Sequence, residues 1–398
     1  MKFIIFSLLV NFLVSNDAFI PPYAPFNFRN SRHFHEMSSK PMISPEDINL
    51  STLGVPRVIR RLENGIETFL MWFQGRESSF DPTGELPKLS TGRIFFCEST
   101  SGLGNWKFHE DNPVLNPNKE EMEGDWWFFD SEHVGLGDVI TPGGNAQNKF
   151  ITQDGVFLMY TYGGNGDTQI LGEDSNSDEP PVQVKGARLE IGVCVSQDGA
   201  HWSRVEGPNP YGSILEPGSL NEFDGQLVGW PTVLEVGSQY NMYYSTYNPH
   251  DKKFTIGMAQ GRDALKWTKK GPVLKGGTSE NAFDFRGCSR RDVHKMSDGT
   301  YRMWYEGVSK SGTHSIGIAT SRDGTFWQRL GDDPVFAPSV DDDAWDNGGV
   351  GSPHLVYLPE RNIWRMYYVG NKIGENEKLC IGVAESTDAE GIYFVRIK

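Results

Sequence analysis

Asp292, in Ser289-Arg-Arg-Asp-Val293, and Glu306, in Arg302-Met-Trp-Tyr-Glu-Gly307, stand at places whose identity varies along a repeating chain, as does Asp138 in Gly137-Asp-Val139. Carboxylates grouped with an arginine and a histidine, here Arg57 and His354, suit glycoside hydrolysis. One carboxylic acid protonates the leaving oxygen while a carboxylate attacks the anomeric carbon or activates water. The acid needs a pKa raised by burial or a neighbouring like charge, and its partner must stay ionised beside donors such as Arg57 or Arg291. A buried ion-pair network without chemistry is the alternative use of the same residues.

What must position these groups is an internal repeat. Ile256-Gly-Met-Ala-Gln-Gly-Arg-Asp-Ala-Leu-Lys-Trp267 recurs at Ile316 to Trp327 and at Ile191 to Trp202, in part at Ile381 to Asp388, and more loosely in a copy that ends at Trp106. An aromatic strand accompanies each copy: Leu70-Met-Trp-Phe-Gln-Gly75, Leu158-Met-Tyr-Thr-Tyr-Gly163, Asn241-Met-Tyr-Tyr-Ser-Thr246, Arg302 to Gly307 and Arg365-Met-Tyr-Tyr-Val-Gly370. Short β-branched and aromatic runs between Gly/Asp turns, with no long helical period, predict small antiparallel sheets. Copies of roughly seventy residues leave room for four strands each, and radial repetition of such sheets predicts an all-β, five-bladed β-propeller with four-stranded blades.

The repeat separates framework from chemistry. Asp130, Asp224, Asp284 and Asp346 each follow an aromatic residue at one place in four copies, which predicts a structural hydrogen-bonding role, shared by Trp106, Trp202, Trp267 and Trp327. Eight residues after each of those aspartates the innermost strand carries Asp138, Thr232, Asp292 or His354, and Arg57 takes the matching place in the first copy. The two-residue period of strands puts one such side chain per copy toward the axis. On the second strand the varying place reads Gln74, Tyr162, Ser245, Glu306 and Val369. Antiparallel pairing brings the end of the second strand beside the start of the first, so Glu306 is expected near Asp292.

Five copies with axial acids resemble the arabinanase, levansucrase and invertase group of five-bladed propeller glycosidases over roughly residues 50 to 398. Ser289 to Val293 is similar to the Arg-Asp motif that holds a transition-state-stabilising aspartate there, which implies that role for Asp292 and makes Glu306 the candidate general acid. The resemblance also implies a structural metal ion near His354, with no metal or other cofactor required for the reaction. It departs where Arg57 replaces an expected nucleophilic aspartate and where the Thr232 copy separates Asp138 from Asp292. A mannoside-phosphorylase-like variant stays open because Arg57, Arg290, Arg291 and His354 suit an oxyanion. A non-catalytic glycan- or protein-binding propeller is the alternative class.

Long connections at Gly75 to Gly92 and Gly163 to Gly186 are expected to rise around the same face, the second carrying Asp167, Glu173, Asp174, Asp178 and Glu179 as a solvated loop. Trp127 and Trp230 are candidates to stack on sugar rings, with core packing the competing use. The site expected from sequence is therefore Asp138, Asp292 and Glu306 for catalysis, with Arg57, Gln74, Trp127, Tyr162, Trp230, Arg291 and His354 for substrate.

Residues 1 to 18 read as a signal peptide, and 19 to 45, beginning Phe19-Ile-Pro-Pro, as a transit-peptide-like or disordered leader before a single domain over 46 to 398. The leader resembles bipartite plastid-targeting segments; secretion is the alternative. A net charge of −15 disfavours nucleic acid and anionic membranes as partners, and the expected partner is carbohydrate, bound by a monomer. Cys97, Cys194, Cys288 and Cys380 lie far apart, without zinc-site spacing.

Overall fold

The computed structural model describes residues 40–77, 79, 92–118, 128–142, 150–151, 155–171, 182–219, 221–248, 251, 253–375 and 377–397. Its strands form five four-stranded antiparallel units in chain order, and the short strand Phe150–Ile151 adds in parallel to the first strand of unit 1. Unit 1 comprises Thr52–Glu63, Ile66–Arg76, Arg93–Ser99 and Lys107–Phe108; unit 2, His133–Ile140, Phe157–Gly164, Glu190–Ser196 and Ser203–Val205. Unit 3 comprises Gly229–Val236, Gln239–Asn248, Lys253–Gly261 and Trp267–Lys275. Unit 4 comprises Gly287–Lys295, Tyr301–Val308, His314–Ser321 and Gln328–Arg329; unit 5, Gly349–Leu358, Ile363–Asn371, Cys380–Ser386 and Phe394–Arg396. Units 3 and 4 also share one parallel pair, Phe254 with Gly287. Gly287 has φ +130 and a Cβ there would lie 2.6 Å from the Phe254 carbonyl oxygen, so the contact requires glycine.

In every unit the first strand bulges against the second, between Gly54 and Arg57, Leu136 and Asp138, Gly229 and Thr232, Cys288 and Arg291, and Gly351 and His354. Three bulges hold a non-glycine residue in the left-handed region: Val55 (φ 46), Trp230 (φ 48) and Ser352 (φ 50). The β-branched Val55 is the costliest of these.

Directly after the bulges, the varying first-strand residues pair with one aromatic per unit: Arg57 with Trp72, Asp138 with Tyr160, Thr232 with Tyr243, Asp292 with Trp304, and His354 with Tyr367. Both members of each pair reach the following unit. Arg57 Nε donates to Gly137 O at 2.7 Å, and Asp138 Oδ2 accepts from Val233 N at 3.0 Å. Thr232 Oγ1 donates to Arg291 O at 3.0 Å, Asp292 Oδ2 accepts from Leu355 N at 2.7 Å, and His354 Nε2 donates to Val58 O at 2.9 Å, back in unit 1.

The aromatic partners make a second cycle. Trp72 donates to Gly199 O, Tyr160 to Ala264 O, Tyr243 to Gly324 O, Trp304 to Gly391 O and Tyr367 to Gly102 O, at 2.6 to 3.2 Å. Each acceptor lies in the turn before the fourth strand of the next unit, and the fifth bond again returns to unit 1. A typical bond of this kind contributes about 0.5–1.5 kcal/mol. The apolar core lies between units as well: Phe73, Val356 and Tyr367 join units 1 and 5, and Trp304, Leu355 and Trp364 join units 4 and 5. Burying each such side chain is worth about 1.5–3 kcal/mol.

The four repeated aspartates act as the repeat suggests. Asp130 accepts from Arg204 Nε at 2.9 Å; Asp224 from Tyr244 Oη and Lys269 Nζ, both at 2.8 Å; Asp284 from Tyr305 Oη and Arg329 Nε, both at 2.8 Å; and Asp346 from Tyr368 Oη at 2.8 Å and Arg396 Nε at 2.7 Å. Each carboxylate thereby clamps the fourth strand of its sheet. All four cysteines are buried and none is in a disulfide.

Two expectations change. Ile43, assigned by sequence to the leader, is buried and bridges Ile381, with backbone bonds of 3.0 Å (Ile43 N to Ile381 O) and 2.9 Å (Ile381 N to Ile43 O), because the third strand of unit 5 has an edge to cover. The connection after Gly163 is partly an antiparallel ribbon, Thr168–Leu171 with Val182–Lys185, rather than a wholly irregular loop. Its acids at 173, 174, 178 and 179, the signal peptide, the rest of the leader up to residue 39, and Trp127 lie outside the described residues.

Candidate functional site

Two residues beyond the aromatic of each second strand stand Gln74, Tyr162, Ser245, Glu306 and Val369, level with the bulges. Contacts run between units here. Tyr162 Oη donates to Gln74 Oε1 at 2.9 Å, and its ring centroid lies 4.8 Å from that of Trp230. The Arg290 guanidinium sits 5.1 Å from the Trp230 centroid, within cation–π range, and its Nη1 donates to Glu306 Oε1 at 3.1 Å. Glu306 also accepts from Ser352 N at 2.7 Å and meets His314 Nδ1 at 2.8 Å.

A pocket opens at the junction of units 1, 4 and 5, lined among others by Arg76, Arg290, Glu306, His314, Gly351 and Ser352. Of the catalytic and substrate residues expected from sequence, Glu306 alone lines it, joined by Arg290 from the oxyanion alternative. Gln74, Tyr162 and Trp230 are buried behind Arg290 and support its position. Gly351 admits the carboxylate, since a Cβ there would fall 2.3 Å from Glu306 Oε2.

Burial by itself would raise the Glu306 pKa, but the Arg290 charge, the His314 contact and the Ser352 N–H outweigh it and hold the carboxyl at about 2. Glu306 is therefore ionised at neutral pH, the form required of a nucleophile or base, whereas a general acid must carry its proton.

Asp292 and Glu306 sit on adjacent strands but do not converge. Asp292 pairs with Trp304, two residues deeper than Glu306, and the intervening bulge spans Ser289 and Arg290, of which Arg290 lines the pocket. Fully buried, Asp292 accepts from Val293 N (3.1 Å) and Leu355 N (2.7 Å), with His294 Nε2 and His354 Nδ1 at 3.0 and 3.2 Å. Asp138, equally buried, takes Val139 N and Val233 N and lies 3.6 Å from Arg57 Nε. Arg57 and Arg291 serve backbone carbonyls: Arg57 those of Pro56, Gly137 and Arg291, and Arg291 those of Ser289 and Tyr243. Burial, then repulsion from Arg57, lowers the Arg291 pKa to about 9.

No family model matches the chain. Two uncharacterised proteins of Mycobacterium tuberculosis, MT1551 (strain CDC 1551 / Oshkosh) and Rv1502 (strain ATCC 25618 / H37Rv), are each 30% identical over 190 residues, 46% of this chain and 58% of theirs. The chain thus spans little more than half the length of these curated relatives. Among solved structures, one described as a glycoside hydrolase matches with a TM-score of 0.62 at 16% identity, over 91% of this chain and 94% of its own. A structure of a BT0996 complex with RGII also reaches 0.62, at 17% identity over 88% and 92%. A third comes from work on the GH130 mannoside phosphorylases and the glycoside hydrolases among them that target β-1,2-mannosidic linkages in Candida mannan. It reaches 0.54 at 14% identity over 95% and 98%. The chain shares its fold with these solved structures.

At His354, Nε2 donates to Val58 O at 2.9 Å and Nδ1 lies 3.2 Å from Asp292 Oδ2. Among the described residues no group of three His, Cys, Asp or Glu side chains is arranged to hold a metal ion. The residues that sequence reasoning missed are Arg76, His314, Ser352 and Gly351. Their one sequence signal is position, since Arg76 and His314 sit at strand ends beside the varying Gln74 and Glu306 places and Gly351 opposes Val369.

Proposed function

We propose that the five units are the blades of a five-bladed β-propeller and that the chain is a carbohydrate-active enzyme of glycoside hydrolase type, acting at the pocket beside Glu306. Both hydrogen-bond cycles, each returning from unit 5 to unit 1, support the five-bladed reading. The observation that carries the functional reading is a buried carboxylate, held ionised by Arg290, exposed to a pocket and backed by an aromatic pair. Glu306 acts as nucleophile or base, Arg290 and His314 orient it, and Asp138 and Asp292 hold adjacent blades together through backbone N–H groups. Solved structures of the same fold described as glycoside hydrolases support carbohydrate as the ligand class.

The test is turnover of a glycoside panel, with and without inorganic phosphate, by the wild type and Glu306→Gln. Hydrolysis lost in the variant supports the reading, and turnover only with phosphate moves it to a phosphorylase. A second reading, glycan binding without catalysis, is favoured by the depressed pKa of Glu306, which suits a charged anchor as well as a base. Binding without turnover selects it.

A further inference from the structure

The pocket beside Glu306 holds more positive charge than its own groups neutralise. Arg290 is balanced by Glu306, which takes Nη1 at 3.1 Å. Arg76, at the end of Ile66–Arg76, lines the same pocket from unit 1 and has no ion pair with any carboxylate among the described residues. Its Nε is buried without a hydrogen-bond partner, and so is Nε of Arg290. A guanidinium is planar, permanently charged and shaped for two-point contact with an oxyanion. Burial, partly offset by the neighbouring Tyr162 hydroxyl and reinforced by repulsion from Arg290, lowers the Arg76 pKa to about 10, which leaves it charged at neutral pH. A partly buried cation without a counter-ion is costly unless a ligand supplies one. It stands out in a chain of net charge −15.

We infer that this pocket binds the carboxylate of an acidic sugar, anchored by Arg76. The inference rests on the glycan-directed reading above and adds the charge class of the ligand. Among the permanently charged cations of the lining, the two guanidiniums against the carboxylate Glu306 leave one positive charge, which a sugar carboxylate matches. Phosphate carries between one and two negative charges at neutral pH, and the second would face Glu306. Nε of Arg76 and Nε of Arg290, both unsatisfied in the protein, are the donors a ligand carboxylate would relieve.

The experiment titrates full-length protein with an array of uronate-bearing oligosaccharides, and with the same oligosaccharides after carboxyl reduction, by calorimetry. At least one acidic oligosaccharide is expected to bind ten-fold or more tightly than its reduced form. Arg76→Met should erase that preference and Arg76→Lys retain most of it, with thermal unfolding showing both variants folded. Equal binding of reduced and acidic forms overturns the inference while leaving the glycan reading standing, as does a preference that survives Arg76→Met. Binding of inorganic phosphate without preference for acidic glycans also overturns it. If no glycan of either kind binds, both readings fall.

Discussion

Ser352 donates its backbone N–H to Glu306 Oε2 at 2.7 Å from a left-handed conformation, φ 50, so a strained residue of unit 5 is tied to a buried carboxylate of unit 4. The bulge aims an N–H that a regular strand would spend on its neighbour, and Glu306 is what receives it. The site is thus assembled across a unit boundary, and each side depends on the other.

Replacing Glu306 with Gln should remove activity or glycan binding and cost about 3 kcal/mol of stability. The neutral amide leaves the buried Arg290 without a counter-charge. Denaturant unfolding measures the second effect, and a variant as stable as wild type contradicts the pairing.

Asp292→Asn separates a catalytic role from a holding one. Losing one acceptor leaves Leu355 N–H or Val293 N–H poorly satisfied, for about 1–3 kcal/mol. Ligand affinity and turnover per folded molecule should stay within a few-fold of wild type. A thousand-fold fall in kcat with unchanged stability would instead place Asp292 in the chemistry.

Gly351→Ala tests the tight approach of the two units. The added Cβ, 2.3 Å from Glu306 Oε2, must displace the carboxylate or the bulge. Activity should fall at least ten-fold and the melting temperature should drop, whereas Gly54→Ala in unit 1, where nothing lies within 4 Å, should leave stability nearly unchanged.

Stability should fall in two stages as pH drops. Burial holds His133 at a pKa of about 4 against an ordinary 6.5, so the fold keeps it neutral. The stability that this represents is complete above 6.5 and is lost as pH falls toward 4. For Glu306, at about 2 against 4.5, the contribution is complete above 4.5 and is lost as pH falls toward 2. Each stage is worth up to about 3 kcal/mol. Melting temperature measured from pH 8 to 2 should show both, and His133→Gln should flatten only the upper one.

Framework residues were legible in the chain because a repeat states the same requirement several times. Phe283-Asp284 with Tyr305 and Arg329, and Trp345-Asp346 with Tyr368 and Arg396, are one clamp written twice, and comparing copies identifies it without coordinates. The varying positions were legible as positions too: Arg57, Asp138, Thr232, Asp292 and His354 lie at one register level. Their use was not, because an aspartate that accepts a neighbour's N–H and one that faces a ligand have the same letter.

By itself, then, the sequence determined the all-β class, the repeated four-stranded unit, the aspartate clamps and the level at which residues vary. Periodicity and repetition encode local geometry, which a one-dimensional pattern can carry. Only the tertiary structure decided that Asp138 and Asp292 are enclosed, that Glu306 is held ionised, and that Arg76, His314 and Ser352 join it. Those outcomes depend on a bulge that offsets the strands and on which units meet, and residues 76, 306 and 352 become neighbours only once unit 5 packs against both unit 4 and unit 1.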